Sequence, residues 1–195
     1  MDRQKYYAAV KANLEPNIFY HSLALEACMG GIFDYLESQG QIKAGEPSRE
    51  EWTMAGLIHD IDYAGDTKKD HPGKTREVLA KYNLEISDSL DRLIKAHASH
   101  TGIVPQNKAQ WSIRCADSLT GLITAVALIY PSKKLAEVKL SSVLKRFLKE
   151  PRFAAGTRRD EVILCQDADK LNIPLEKFIE ICLVSMQGIS NEINL

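Results

Sequence analysis

All five histidines of this 195-residue chain lie within its first hundred positions, at His21, His59, His71, His97 and His100. Asp60 directly follows His59, and Asp117 lies in the mostly apolar stretch SIRCADSLTGLITAVALIY, which predicts a helix from about residue 109 to 130. Burying an unpaired carboxylate costs several kcal/mol even after relaxation, so Asp117 requires a cation nearby. Imidazole and carboxylate together suit first-row metals such as Mn, Fe, Co, Ni or Zn.

Helical periodicity directs these side chains inward. His21 falls on the apolar stripe of a helix predicted over residues 17–38. Ser48 and Glu51 have the form of a capping box, which predicts the start of a helix that reaches His59. Helical bundles build metal sites from facing positions of this kind. The sequence therefore predicts that separate helices bring the histidines and Asp117 to one site.

The remainder of the chain also has a helical pattern. Residues 61–71 are polar and contain a glycine, which predicts a loop, the usual location of functional side chains. Further helices are predicted over 72–82, 87–97, 133–149, 158–170 and 174–190. No alternating strand pattern competes with them. We predict an all-α helical bundle forming a single domain over 1–195, with a core at about 17–130 and C-terminal helices over 133–190 packing on it.

Composition excludes several classes of protein. Apolar residues make up 45% and charged residues 26%, which is typical of a globular protein, and the net charge of −1 favours neither nucleic acid nor an anionic membrane as partner. No uninterrupted apolar run approaches the roughly 20 residues of a membrane span. The charged N-terminus does not resemble a secretory signal. The four cysteines are far apart and form no CxxC pair, so we expect reduced core residues in a cytoplasmic protein.

Simpler interpretations exist for each residue taken alone. A His-Asp dipeptide can arise by chance, and an inward histidine is commonly a hydrogen-bonded core residue. Asp117 alone could pair with Arg114. The combination favours a metal, because His21, His59-Asp60 and Asp117 occur in that order on the inward faces of three separate predicted helices.

This order of residues resembles the HD superfamily, whose pattern is a His, an adjacent His-Asp pair and a later Asp. The matching segments are YHSLALEA, AGLIHDIDY and CADSLTGLI. The resemblance covers 17–130 and continues through PSKKLAEVKLSSVLKRF, as in small bacterial HDIG-type hydrolases. It implies an all-α HD-domain bundle in which His21, His59, Asp60 and Asp117 bind a divalent metal. It also implies an enzyme that hydrolyses phosphoric ester bonds in phosphomonoesters or phosphodiesters, often of nucleotides.

A second metal ion would need further histidines between the His-Asp pair and Asp117. His71, in DHPGKTREVL, resembles the His-Pro segment that opens a helix in HDIG-type and HD-GYP proteins; a solvated loop histidine is the alternative. His97 and His100 lie one helical turn apart in KAHASHTG. Because Ser99-His100 resembles the family form, we favour His100 as the ligand. His97 would then contact a ligand from behind, or would be the ligand instead of His100. No GYP motif follows, so specificity for cyclic dinucleotides is not implied.

The resemblance implies that the metal, as one or two ions, supplies hydroxide near neutral pH to attack phosphorus. Asp60 would then be a ligand and a proton acceptor. Asp62 and Asp66, in the predicted loop, are candidates for proton transfer to the leaving group, with solvated loop carboxylates as the alternative. Candidate side chains for the substrate phosphate are Lys74, Lys133, Lys134 and Arg158.

Other functions share this ligand order. One is a mixed-valence di-iron oxygenase of the myo-inositol oxygenase type, and another is a non-catalytic HD module that binds a nucleotide. We expect a small phosphorylated substrate, with a nucleotide among the candidates. A nucleic acid partner is not favoured, because basic and aromatic residues are not interleaved.

Overall fold

The computed structural model describes residues 1–195 and consists of helices joined by turns, with no strand. The helices are α1 (Arg3–Asn13), α2 (Pro16–Ser38), α3 (Arg49–Ile58), α4 (Thr75–Ala80), α5 (Asp88–Lys95), α6 (Lys108–Ile129), α7 (Leu140–Lys149), α8 (Arg159–Val162) and α9 (Leu175–Gly188). Short 3-10 helices lie at Gly65–Asp70, Ser99–Thr101, Leu135–Glu137 and Ile163–Gln166. The all-α prediction is confirmed.

Three helices form the centre of the bundle, with α3 and α6 both packed against α2. Gly56 allows the closest approach, because a Cβ built on it would lie 2.7 Å from the backbone Cα and N of Glu26 in α2. The capping box at the start of α3 is confirmed: Glu51 N–H donates to Ser48 Oγ, and the Glu51 carboxylate accepts from Ser48 N–H. This packing brings the end of α3 against the first turns of α2.

One contiguous core of 50 buried apolar residues extends from Tyr6 to Ile193. The C-terminal helices contribute to it, since α9 packs on α2 and α8 packs on α6. All four cysteines are buried and free, as predicted. By length and composition α6 could cross a membrane, but 67% of its apolar window is buried inside the bundle, as in the core helix of a soluble protein.

Several helix boundaries differ from the sequence prediction. The helix predicted over 72–82 is shorter, because Pro72 lies in a turn and α4 begins only at Thr75. The helix predicted over 133–149 begins at Leu140, since Lys133 has a left-handed backbone (φ 54°) that a helix cannot contain. The helix predicted over 158–170 ends as an α-helix at Val162 and continues as a 3-10 turn. Helix α1 was not predicted.

Candidate metal centre

Three core helices bring together His21, His59 and Asp117, which we call the first cluster. His21 lies in the second turn of α2, His59 caps the end of α3, and Asp117 lies in the middle of α6. The Nε2 atoms of His21 and His59 are 3.1 Å apart, and Asp117 Oδ1 lies 3.0 Å from His21 Nε2 and 3.8 Å from His59 Nε2. Because histidine nitrogen binds transition metals at about 2.0–2.1 Å, atoms this close can share one ion.

Asp60, His71 and His97 form a second cluster beside the first. His71 Nε2 lies 3.0 Å from His97 Nε2 and 3.3 Å from Asp60 Oδ1, while His97 Nε2 is 3.9 Å from the same oxygen. All three residues lie in turns: Asp60 follows the end of α3, His71 follows a 3-10 helix, and His97 follows the end of α5. The second cluster therefore offers a separate set of three donors.

Asp60 belongs to the second cluster but also faces the first. Its Oδ2 atom is 3.3 Å from His59 Nε2 and 3.6 Å from His21 Nε2, while its Oδ1 atom faces His71 and His97. A carboxylate with one oxygen toward each of two imidazole pairs has the geometry of a bridging ligand. Four histidines and two aspartates arranged in this way suit two transition-metal ions.

Hydrogen bonds behind the first cluster fix the protonation of its imidazoles. The Thr120 hydroxyl donates to the Asp117 backbone carbonyl (2.7 Å), so its oxygen accepts the bond from His21 Nδ1–H (2.9 Å). His59 Nδ1–H donates to the Gly56 carbonyl (2.8 Å). With the proton held on Nδ1, the Nε2 atom of each ring presents a lone pair to the centre, as metal-ligating histidines do.

In the second cluster each imidazole also donates a hydrogen bond from Nδ1, and one of the two acceptors is a carboxylate. His97 Nδ1–H donates to the Ile94 carbonyl (2.6 Å), whereas His71 Nδ1–H donates to the Asp62 carboxylate (2.6 Å). Asp62 is buried and also accepts the backbone N–H of Lys74 (2.7 Å). A carboxylate behind the ring fixes its orientation and makes Nε2 a stronger metal donor.

The charges of the buried groups also fit a cation. Burial opposes ionisation of Asp117 and Asp60, yet the facing imidazoles of His21 and His59 outweigh it and lower the pKa of both carboxyls. Burial, with the neighbouring His59, lowers the pKa of His97 to about 4, so that ring is neutral. Burial acts to lower the pKa of His59 too, but Asp60 and Asp117 raise it overall. The ionised carboxylates therefore stabilise a cation at the point where the Nε2 atoms meet.

A cavity of about 380 Å³ leads to the centre. It is lined by every residue of the two clusters except the buried His59, together with Ile18, Tyr63, Ala98, Ser99, His100 and Arg158. Arg158 donates from Nη2 to Asp117 Oδ2 (2.6 Å), and its Nε pairs with Glu161. This guanidinium is the cationic side chain that lines the cavity.

The structure brings together five of the predicted ligands, namely His21, His59, Asp60, His71 and Asp117, but differs from the sequence prediction at the sixth. His97 is in the second cluster, whereas His100 is exposed at the rim and bonds from Nε2 to the His71 carbonyl (3.0 Å). The expected helical turn between them does not exist, because α5 ends at Lys95 and a 3-10 turn carries His100 away.

The structure also corrects the role predicted for Asp62. It is neither a solvated loop carboxylate nor free to protonate a leaving group, because both its oxygens accept hydrogen bonds in a buried turn. Asp66, in contrast, is exposed. The loop predicted over 61–71 folds back so that Asp62 lies directly behind His71.

Only one of the four residues predicted to bind phosphate lines the cavity. Arg158 does so, whereas Lys74 pairs with Glu77 (2.9 Å) and the exposed Lys133 and Lys134 line no part of it. Sequence reasoning did not identify Thr120, which orients His21. The sequence could have indicated Thr120, because it lies three residues after Asp117, nearly one turn along the same helix.

Comparisons with known proteins give one match. The family model described as HD domain matches residues 18–172, which include every residue of both clusters. Neither a curated protein nor a solved structure matches the chain.

Proposed function

The chain belongs to the HD domain family, and we propose that it is a phosphohydrolase with a two-metal centre. The observation that carries this proposal is the position of Asp60, whose two carboxylate oxygens face two separate histidine pairs. Sites that bind one structural ion have no need of such a bridge. The substrate we propose is a small phosphorylated molecule, with nucleotides among the candidates.

The residues present fit a pair of divalent transition-metal ions. His21, His59 and Asp117 would hold one ion, and His71 and His97 the other, with Asp60 shared between them. Mn, Fe, Co, Ni and Zn all accept nitrogen and carboxylate donors of this kind. When bound, such ions lower the pKa of water and offset the charge on phosphoryl oxygens.

Arg158 would position the phosphoryl group. Its planar guanidinium presents several N–H donors in a fixed arrangement that matches phosphate oxygens. It bonds to the outer oxygen of Asp117 and lines the cavity, so a phosphate on the metal centre would lie within its reach. Glu161, paired with the other side of the guanidinium, holds it in this orientation.

Thr120 and Asp62 would act through the ligands that they contact. Thr120 keeps the proton of His21 on Nδ1, and Asp62 does the same for His71. Because both residues are buried behind the rings, neither needs to touch the substrate.

We also propose a cytoplasmic location for the protein, since four buried free thiols fit a reducing compartment.

The test is hydrolysis by the metal-loaded protein. Wild type, Asp60→Ala and the exposed control Asp66→Ala are reconstituted with each of the five metals, analysed for metal content and assayed against phosphomonoesters, phosphodiesters and nucleotides. We expect phosphate release by wild type and Asp66→Ala and none by Asp60→Ala. A wild type that binds no metal and hydrolyses no ester would overturn the proposal. Oxygen uptake by the iron-loaded protein in place of phosphate release would favour the di-iron oxygenase, and nucleotide binding without turnover would favour the non-catalytic module.

A further inference from the structure

A second cavity, which we call the apolar pocket, lies beside the metal centre. It lies between the start of α2, the second half of α6 and residues 193–195, and its volume is about 430 Å³. It is partly open to solvent, since Gly121 and Leu128 are exposed. This lies within the roughly 300–1,000 Å³ of small-molecule sites. Its apolar lining consists of Ile18, Tyr20, Leu128, Ile193 and Leu195. The proposed function assigns no role to this space.

The apolar pocket has no lysine, arginine, aspartate or glutamate in its walls. Its polar side chains are Asn17, Thr124 and Asn194, besides His21. The cavity at the metal centre differs, because it contains two carboxylates and a guanidinium. The side chains of the apolar pocket offer a charged group no lysine, arginine or carboxylate as a partner, whereas burying apolar surface there is worth about 25 cal/mol per Å².

His21 connects the two spaces. It lines the apolar pocket as well as the cavity at the metal centre, and Ile18 does the same. Gly121 lies at the boundary of the apolar pocket with a neighbouring cavity that reaches Asp117 and Arg158. A Cβ built on the exposed Gly121 would meet no heavy atom within 4 Å, so no protein atom closes the passage at this position.

We propose that the apolar pocket receives the organic group of the substrate, and that this group is an uncharged, mainly apolar alcohol or phenol. The inference rests on the proposed phosphohydrolase function. The phosphoryl group would lie at the metal centre beside Arg158, and the ester oxygen would direct the organic group past His21 and Gly121. In the reaction, the oxygen of water bonds to phosphorus, the ester P–O bond breaks, and a proton passes to the departing oxygen, giving inorganic phosphate and the free alcohol.

The first test compares 2-phenylethyl phosphate with ribose 5-phosphate. Both are esters of primary alcohols, so their leaving groups are similar in reactivity and any preference reports binding. We expect kcat/KM at least about tenfold higher for the phenylethyl ester, which corresponds to about 1.4 kcal/mol. A preference for ribose 5-phosphate, or no preference, would overturn the inference even if hydrolysis itself is observed.

The second test fills the passage with Gly121→Leu, using Gly188→Leu at the exposed end of α9 as the matched control. An added Cβ meets nothing within 4 Å at either glycine, so both variants should fold, which circular dichroism checks. Binding of 1-naphthol to the metal-free protein, followed by its fluorescence, gives a measurement independent of catalysis. We expect Gly121→Leu to weaken binding at least tenfold and to remove the preference for the phenylethyl ester, while Gly188→Leu changes neither.

The naphthol measurement tests the apolar pocket independently of the proposed hydrolysis of phosphoric esters. Equal naphthol affinity in wild type and Gly121→Leu would overturn the apolar pocket as the binding site. Naphthol binding that Gly121→Leu blocks, in a protein that hydrolyses no phosphoric ester with any metal, would support the pocket and overturn the phosphohydrolase.

Discussion

The two clusters of the metal centre are held by different means. The first cluster takes His21 and Asp117 from the interiors of α2 and α6 and His59 from the end of α3, so helix packing sets its geometry. The ligands of the second cluster all lie in turns, where hydrogen bonds of the local backbone and of Asp62 position them. Helix packing therefore sets the positions of the ligands in the first cluster, and local turns set those in the second. In both clusters a hydrogen bond at Nδ1 orients each imidazole.

This difference means that the two clusters can be disturbed separately. Changes in the helix contact between α2 and α3 should affect the first cluster, whereas changes to the turns after α3 and α5 should affect the second.

Removing His97 should abolish the second metal site. In His97→Ala we expect metal content to fall from about two ions to about one and hydrolysis to fall about 10³-fold, since a metal supplies several kcal/mol of charge stabilisation in the transition state. Metal analysis with phosphate-release kinetics measures both. His100→Ala is the matched control and should keep both ions, because His100 is exposed at the rim. Metal loss in His100→Ala and not in His97→Ala would reverse the assignment.

Asp62→Asn should weaken the second cluster without removing a ligand. Loss of the carboxylate behind His71 makes the ring a poorer donor, and changes to such outer partners lower metal affinity or activity by about 10–100-fold. Titration with a competing chelator should show one weakened site and one unchanged site. Asp66→Asn, on the same loop but exposed, should bind metal like wild type. Equal weakening of both metal sites would contradict the conclusion that Asp62 supports only the second cluster.

Gly56→Ala should disturb the first cluster through packing. The added Cβ would lie 2.7 Å from the Glu26 backbone, so α3 must move away from α2. We expect the free energy of unfolding to fall by about 1–3 kcal/mol, as overpacked cores show. Gly121→Ala should instead raise the free energy of unfolding by about 0.5–1 kcal/mol. Its Cβ meets open space, and alanine is favoured over glycine within a helix. Chemical denaturation measures both, and a Gly56→Ala variant as stable as wild type would show that this contact does not limit the helix approach.

Thr120→Val should give the smallest effect, confined to the first cluster. Valine keeps the shape of threonine but leaves His21 Nδ1 without an acceptor, so we expect about tenfold lower affinity at that site, the low end for outer partners. Thr53→Val is the matched control, since Thr53 in α3 makes the same hydroxyl bond to the carbonyl three residues earlier but has no hydrogen bond to a ligand. Identical chelator titrations for the two variants would remove Thr120 from the centre.

The same contrast explains which parts of the site the sequence could predict. His21 and Asp117 lie on long helices whose apolar periodicity fixes the direction of each side chain, so their inward position was predicted correctly. His97 and His100 lie where α5 ends, and spacing on a helix no longer describes them. Asp62 was misinterpreted for a similar reason, because a polar loop gives no periodic signal that one of its carboxylates is buried.

The fold was predicted more completely than the site. Capping signals at Ser48 and Ser87 placed the starts of α3 and α5, since each side chain accepts a bond from the first turn of its helix. The C-terminal part was less accurate, because the left-handed residue Lys133 interrupts a pattern that appears continuous in the sequence, and the helix predicted over 158–170 ends as an α-helix at Val162. Such interruptions depend on tertiary packing, which a single sequence does not show.

Whether Asp60 bridges two metal ions can be measured by anomalous diffraction from crystals of the manganese-loaded protein. We expect two anomalous peaks about 3.5–4 Å apart, the spacing of two-metal sites, with one carboxylate oxygen of Asp60 on each. One peak should lie among His21, His59 and Asp117, and the other beside His71 and His97. A single fully occupied peak, or two peaks of which one does not contact Asp60, would contradict a bridging role of Asp60.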